Sequence, residues 1–412
     1  MTLRRSLLWC WLGCAAVVLS TAGAAAEGNG DERGERARAA WSNGLPRDAR
    51  FFPIAVWLQD PKNAPRYQAI GINLYVGLWQ GPTARQIAEL KRHKMPVFCE
   101  QNPYALAHLD EKTIVGWLHG DEPDNAQPLP NGQGYGPPIL PAKIVAEYEK
   151  LRRGDATRPV MLNLGQGVAW DGWFGRGTRT NHPEDYPAYI RGADIVSFDI
   201  YPAVHTAQAV AGKLWYVAHG VQRLGRWTEG RKPVWNCIEC THIDNARTKP
   251  TPQQVKAEVW MSIVHGSQGL IYFCHQFQPR FVEAGLLDDE EMAKAVGAIN
   301  RQVRDLAEVI HSTAAGRVIV EANPTAVDPQ RVRLKIGQPI ATMAKRHDGS
   351  IYLFAVRTEP TPAKAVFRVE SLRSDAKVQV LGERRTIEAV DGRFQDDFAP
   401  WDVHLYRVLP RG

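Results

Sequence analysis

Between residues 53 and 274, short apolar runs rich in β-branched and aromatic side chains alternate with stretches whose apolar residues recur at helical spacing. The runs cover 53–58, 71–77, 96–101, 114–119, 159–164, 194–200, 233–238 and 269–274, which makes eight. Most are near-continuously apolar rather than alternating, as parallel strands covered on both faces should be. Between them, 83–93 sets Ile87 and Leu90 at helical spacing, and 142–152 gathers Ile144, Val145, Tyr148 and Leu151 on one face. Thr251-Pro252 supplies a capping residue and a first-turn proline ahead of a helix over 253–265, and 288–310 begins acidic and closes the series. The segments after the first, third and fifth runs predict short or irregular helices. Eight β/α units in about 260 residues match a (β/α)8 TIM barrel, expected here over residues 51–312.

From Gly316 the pattern changes. The runs 317–320, 351–356, 365–369 and 377–380 alternate apolar with polar residues, His347-Asp348-Gly349 and Asp391-Gly392 read as hairpin turns, and 401–406 forms a last strand. Residues 316–412 are therefore expected to make an antiparallel β-sandwich packed on the barrel.

The N-terminus adds a different signal. Arg4 and Arg5 precede an apolar run from Leu7 to Val18, and small residues follow from Ala22 to Ala26. That order predicts a secretory signal peptide over 1–26, too short to span a bilayer comfortably, and hence a secreted or periplasmic protein. Cys14 opens a lipoprotein alternative that the continuing apolar run disfavours. Residues 27–50 are polar and Gly-, Ala- and Arg-rich, and read as a flexible leader. Removing the signal lowers the formal charge from +6 to +4, with no basic block, so a nucleic-acid partner has little support. Cys99, Cys237, Cys240 and Cys274 remain; each sits in an apolar run and reads as a buried thiol, with a Cys240–Cys274 disulfide as the alternative.

In a barrel of this kind the chemistry sits where strands end and βα loops begin. Read in order, those positions hold Trp79, then Glu100-Gln101-Asn102, then His119-Gly120-Asp121-Glu122-Pro123. Next come Asn163 and Gln166, Asp199-Ile200-Tyr201-Pro202, Glu239-Cys240-Thr241-His242, and finally His275. Glu239 follows its strand with no intervening turn residue, so its carboxylate is expected either in the barrel mouth or buried against an arginine. Glu122 is the second carboxylate, with a solvated acidic turn as its structural alternative. The fourth and seventh strands lie nearly opposite one another, so Glu122 and Glu239 can converge. Glycosidic cleavage needs one protonated and one ionised carboxyl flanking the bond, and Asp121 beside Glu122 would raise a neighbouring pKa. Trp170 and Trp173, in a glycine-rich loop, could stack on sugar rings or simply pin the loop.

These residues resemble the clan A glycoside hydrolases, retaining barrel enzymes that include cellulase-like and β-galactosidase-like members. The resemblance covers the chain from about Phe51 to the closing helix. It implies Glu122 as acid/base, Glu239 as nucleophile and Tyr201 orienting Glu239. It also implies Asp121 where that family usually has asparagine, and Tyr272, Phe273 or His275 in place of its strand-eight aromatic. Asp121, Asn163, Asp199, Tyr201, Trp170, Trp173, His242 and His275 are then the expected substrate contacts, and Asp199 is the first substitute should one of the glutamates not serve. The expected partner is a carbohydrate, with no cofactor and no metal. Two other readings stand beside this one: a metal-dependent barrel hydrolase using His119, Asp121, His242 and His275, and a non-catalytic carbohydrate-binding barrel. Gly165-Gln166-Gly167 alone is a weak phosphate-loop signal.

Overall fold

A computed structural model describes residues 41–324, 328, 330–331, 334, 338–372 and 375–410. The expected signal peptide and the leader as far as residue 40 lie outside the described residues. Among the described residues no helix is long and apolar enough to cross a membrane.

The eight apolar runs form one parallel sheet: β1 (Ile54–Trp57), β2 (Leu74–Val76), β3 (Val97–Cys99), β4 (Ile114–Leu118), β5 (Val160–Leu164), β6 (Ile195–Phe198), β7 (Asn236–Glu239) and β8 (Leu270–Phe273). Its order, β6-β5-β4-β3-β2-β1-β8-β7, wraps into a barrel. The seam between β6 and β7 closes through a single bridge, Val196 to Val234, flanked by the bond from Trp235 N–H to the Val196 carbonyl at 2.9 Å. The predicted TIM barrel is thus the observed fold, with strands one to four residues shorter than their apolar runs and β7 extending one residue past its run, to Glu239.

The expected helices form as Ala84–Arg92, Pro141–Gly154, Pro252–Val264 and Glu290–Asp305. Thr83 and Thr251 each close a capping box, with Gln86 and Gln254 answering from the third helical position. A helix at Trp215–Trp227, after β6, adds to the expected ones. Nine of its thirteen residues are buried, and its polar side is narrow, marked by Gln222 and Arg226 one turn apart.

The barrel interior is a packed core. Trp57, Val76, Phe98, Met161, Ile195, Trp235, Cys237 and Ile271 fill it, with Phe98 edge-on to Trp235 at 5.7 Å between ring centroids. Gly116 makes room for this contact, because a β-carbon there would stand 2.0 Å from the Phe98 ring. The N-terminal end is plugged by the last part of the expected leader. Trp41 is buried in the interior cluster, and Asn43 N–H donates to the Thr157 carbonyl at 3.0 Å. The leader is therefore fixed from Trp41 onward, because an indole covering the open end of a barrel removes apolar surface from water.

The C-terminal region forms two antiparallel sheets. One has the order β10 (Val318–Pro324), β13 (Ala363–Val369), β16 (Arg393–Phe398). The other runs β15 (Arg385–Ala389), β14 (Ala376–Val380), β17 (Val403–Pro410), β12 (Ser350–Arg357), β11 (Ile340–His347), β9 (Thr313–Ala314). Leu353, Phe367, Val378, Phe394 and Tyr406 form the core between them. Both predicted turns place two consecutive residues at positive φ, Asp348 and Gly349 at 45° and 69°, Asp391 and Gly392 at 49° and 72°, as tight hairpins require. The outer face of the larger sheet packs on the barrel, where Phe354 meets Trp260 of the Pro252–Val264 helix at 5.2 Å.

Gly116→Ala should lower unfolding stability by about 1–3 kcal/mol, the usual cost of overfilling a packed interior. Urea denaturation checks this; an unchanged midpoint would mean that the Phe98 ring does not press on β4.

Candidate active site

The β-strand alternation sets which side chains enter the mouth. On β5 and β6, Met161 and Ile195 point into the barrel; two residues on in each strand stand Asn163 and Ser197, and beyond Ser197 come Asp199 and Tyr201. The Ser197 hydroxyl donates to Asn163 Oδ1 at 2.7 Å, and the Asn163 amide donates to Asp121 Oδ1 at 2.9 Å. Asp121 is thereby tied, through two buried polar residues, to the floor of the mouth.

Glu122 is held in the left-handed region at φ 43°, an uncommon conformation for a side chain of its size. The turn is fixed on both sides: Glu122 N–H donates to the Asn163 carbonyl at 3.2 Å, and Asn125 N–H to the Glu122 carbonyl at 3.0 Å. Asp124, fully buried, accepts from Gly165 N–H and from the Tyr186 hydroxyl, each at 2.9 Å, which locks the loops after β4 and β5 together. Gly165 leaves room there for two side-chain ends, since a β-carbon would stand 2.8 Å from Glu122 Oε1 and from Asn125 Oδ1.

Three carboxyls therefore meet at one mouth. Burial, followed by the charge of Asp199 and then of Asp121, pushes Glu122 well above the usual glutamate range. Burial and the nearby Asp121 raise Asp199 to about 7, against a hydrogen bond to Glu122 that lowers it. Asp121 keeps contact with solvent on its cleft side. The walls of the mouth raise it to about 6, and the bond from Asn163 opposes them. Tyr201 packs against Phe273 at 5.2 Å, and neither its hydroxyl nor Asp199 Oδ1 has a hydrogen-bond partner among the described residues. Buried polar atoms without partners are costly, and these two face the carboxyl cluster.

Beside Asp121 opens a cleft of about 1060 Å³, walled by the loops after β1, β2 and β8. Trp57, Trp79, Phe273, Phe277 and Phe281 line it, and Trp79 and Phe281 are 69% and 60% exposed. His275 belongs to this wall, near-parallel to Phe277 and Phe281 at 6.1 and 6.0 Å. Of these aromatics the sequence reading reached Trp79 as a strand end and Phe273 and His275 as strand-eight alternatives. Trp57, Phe277 and Phe281 it passed over, although residues 273, 275 and 277 share one face at the end of β8, a period-two signal present in the sequence.

The remaining expected residues lie elsewhere. Trp170 packs against the β5–β6 side of the core and edge-on to His205 at 5.5 Å, and Trp173 donates its indole N–H to Asn125 at 2.8 Å; both brace the loop after β5. His242 turns to the carbonyls of Asn245 and Thr248 at 2.9 and 3.0 Å. His119 faces Glu147 of the Pro141–Gly154 helix at 4.0 Å, and His275 faces Gln59 at 3.3 Å, so the histidines of the metal reading do not converge on Asp121. Among the described residues no group of His, Cys, Asp or Glu has metal-holding geometry. Cys99, Cys237, Cys240 and Cys274 are free, buried thiols.

The structure gives the Glu239 carboxylate partners other than Glu122. Alternation from Cys237 would aim Glu239 into the mouth, but its carboxylate is captured by the loop after β6. Ala203 N–H donates to one oxygen at 2.6 Å and Val204 N–H to the other at 3.0 Å, and the side chain is fully buried. Its neighbour is no arginine but Glu258 of the Pro252–Val264 helix. Among the expected residues, Asp121, Glu122, Asn163, Asp199 and Tyr201 share the site, with His275 at its edge.

No family model and no curated relative matches the chain. Solved structures do. An α-amylase from Geobacillus thermoleovorans complexed with acarbose aligns with a TM-score of 0.52 and 9% identity, over 89% of this chain and 100% of the other. AmyP, solved with maltotriose, gives 0.52 and 8% over 88% and 97%. A putative α-galactosidase from Bacteroides fragilis gives 0.52 and 10% over 90% and 81%. At these identities the likeness is one of fold: a TIM barrel followed by a β domain, shared with structures of carbohydrate-active proteins.

Proposed function

We propose that this protein is a glycoside hydrolase acting on an oligo- or polysaccharide, with the carboxyls of Asp121, Glu122 and Asp199 performing the cleavage. The observation that carries the reading is the carboxyl cluster itself, set at the C-terminal rim of a barrel beside an aromatic-walled cleft. The fold neighbours solved with maltotriose and acarbose support a sugar as the occupant, and the basic, apolar and small-residue order of residues 4–26 supports an exported protein.

The roles follow from the electrostatics. Asp121 accepts from Asn163, which favours its ionised form, and it opens on the cleft; it is the attacking group. Glu122 and Asp199 hold a proton between them, because two buried carboxylates in contact cannot both ionise at little cost. Asp199, with one oxygen unpartnered, delivers that proton to the leaving oxygen, and Glu122 fixes its position and restores its charge state. The unpartnered Tyr201 hydroxyl donates to the sugar or to Asp199 as charge moves. Aromatic faces on the cleft wall stack on the apolar C–H faces of the rings and align the scissile bond. Relative to the clan A resemblance, the β4 carboxyl is kept and the second comes from β6 instead of β7.

Activity should trace a bell against pH. Its acid limb is set by ionisation of Asp121 near 6, and its alkaline limb by loss of the Glu122–Asp199 proton at or above 7. Asn163→Ala removes the bond that favours ionised Asp121, so the acid limb should move to higher pH; a profile of kcat/KM against pH reads this, and an unmoved limb counts against Asp121. Asp199→Asn should cut kcat by about 100-fold or more on natural glycosides yet spare aryl glycosides with good leaving groups, which need little protonation. Equal losses on both substrate types would remove Asp199 from the donor role. Direct attack by Asp121 predicts a first product of retained anomeric configuration, read by proton NMR at early times; inversion would make Asp121 a base acting on water.

A further inference from the structure

Glu239 and Glu258 form a second pair of carboxyls, outside the mouth and sealed from solvent. Both are 0% exposed. Glu239 spreads its two oxygens over the N–H groups of Ala203 and Val204, at 2.6 and 3.0 Å. These residues directly follow Tyr201-Pro202, so the pair of bonds clamps the segment by which the chain leaves the mouth at β6. Glu258, reaching across from the Pro252–Val264 helix, is the carboxyl neighbour of Glu239, and neither of its oxygens has a hydrogen-bond partner among the described residues. The helix is itself anchored one turn further on, where the Asn236 amide donates to Ser262 Oγ at 2.9 Å.

The groups around this pair are few. The loop contributes backbone amides, the helix Glu258, and the strand itself the neighbouring Cys240, a thiol that burial keeps neutral. Burial raises Glu239 to about 7, and raises Glu258 well above its usual range with the charge of Glu239 adding to it. Without a donor of its own, Glu258 is favoured in its protonated form, while Glu239 stays an acceptor for two amides.

We infer that Glu239 is a positioning residue, a clamp that fixes residues 201–204 and through them Tyr201 and Asp199, with Glu258 as its proton-holding partner. Glutamine at 239 cannot replace it, since its NH2 group would oppose one of the two N–H donors. Glutamine at 258 can replace glutamate, since it keeps the size of the side chain and cannot become a second negative charge beside Glu239. The kinetic part of this inference rests on the proposed function; the clamp itself does not.

The experiment measures amide hydrogen exchange and steady-state kinetics in the wild type, Glu239→Gln and Glu258→Gln. In Glu239→Gln the amides of Ala203 and Val204 should lose protection by about tenfold or more relative to the barrel strands. Its kcat should fall about 10- to 100-fold, the usual consequence of misplacing a reacting group by an ångström, with KM within about threefold of wild type. Glu258→Gln should keep that protection and a kcat within about threefold of wild type. It should also melt higher than wild type at pH 8 but not at pH 4. A carboxyl whose pKa is raised on folding loses stability as pH climbs above the unfolded value toward the folded one; Glu258 is raised well above the usual glutamate range, and the variant, lacking that carboxyl, escapes that loss. Unchanged protection in Glu239→Gln overturns the clamp. So does azide rescue of Glu239→Ala to an inverted glycosyl azide, which would make Glu239 a nucleophile. Should Glu239→Gln not fold, the pH 8 gain of Glu258→Gln decides, and its absence overturns the pairing. A wild type that cleaves no glycan ends the functional reading, while the exchange result still judges the clamp.

Discussion

Carboxyl groups crowded into a low-dielectric space cannot all be ionised, and this constraint governs the upper half of the barrel. Each ionised carboxylate removed from water costs several kcal/mol unless a donor meets it. The chain meets that cost in two ways. At the mouth, Asp121 is given Asn163, while burial pushes Glu122 and Asp199 toward their protonated forms. Beneath the loop after β6, Glu239 takes two backbone amides and is backed by Glu258. The first arrangement leaves one face open to a cleft and the second is closed on every side. On that difference rest the separate roles proposed for the two groups.

The rest of the fold keeps these groups in place. Trp41 seals the opposite end, and Phe98 fits against Gly116 and Trp235 so that the interior is solid below the mouth. The β domain packs Phe354 on Trp260, stiffening the Pro252–Val264 helix that carries Glu258. Asp124, held by Gly165 and Tyr186, ties the loop bearing Glu122 to the loop after β5. The left-handed turn at Glu122 is thus enforced by contacts on both sides, as strained positions at functional sites usually are.

Much of this was legible in the sequence. Eight near-continuous apolar runs with helical intervals gave the barrel, and strict alternation with Asp-Gly turns gave the β domain. Glu122, Asp121, Asn163, Asp199 and Tyr201 were found by asking which polar residues end the strands. Glu239 satisfied the same rule and is placed differently, because strand alternation says which way a side chain starts and not what it meets. Two backbone amides belonging to a loop 35 residues earlier in the chain and a glutamate on the next helix leave no trace in local pattern. The aromatic wall was partly hidden for a related reason. Trp170 and Trp173 drew attention by clustering, but their contacts tie the loop after β5 to Asn125 and His205 of the neighbouring loops, whereas Trp57, Trp79 and Phe281 are scattered in sequence and converge only through barrel closure. Trp215–Trp227 was passed over because its polar side is narrow, marked only by Gln222 and Arg226 one turn apart.

The most direct measurement traps the glycosyl-enzyme. Incubation with a panel of activated 2-deoxy-2-fluoro glycosides slows the second displacement more than the first, so a covalent adduct accumulates on the attacking carboxylate. Peptide mass spectrometry then locates it. The account predicts the sugar on Asp121, with labelling lost in Asp121→Asn. A sugar on Glu239 would contradict it.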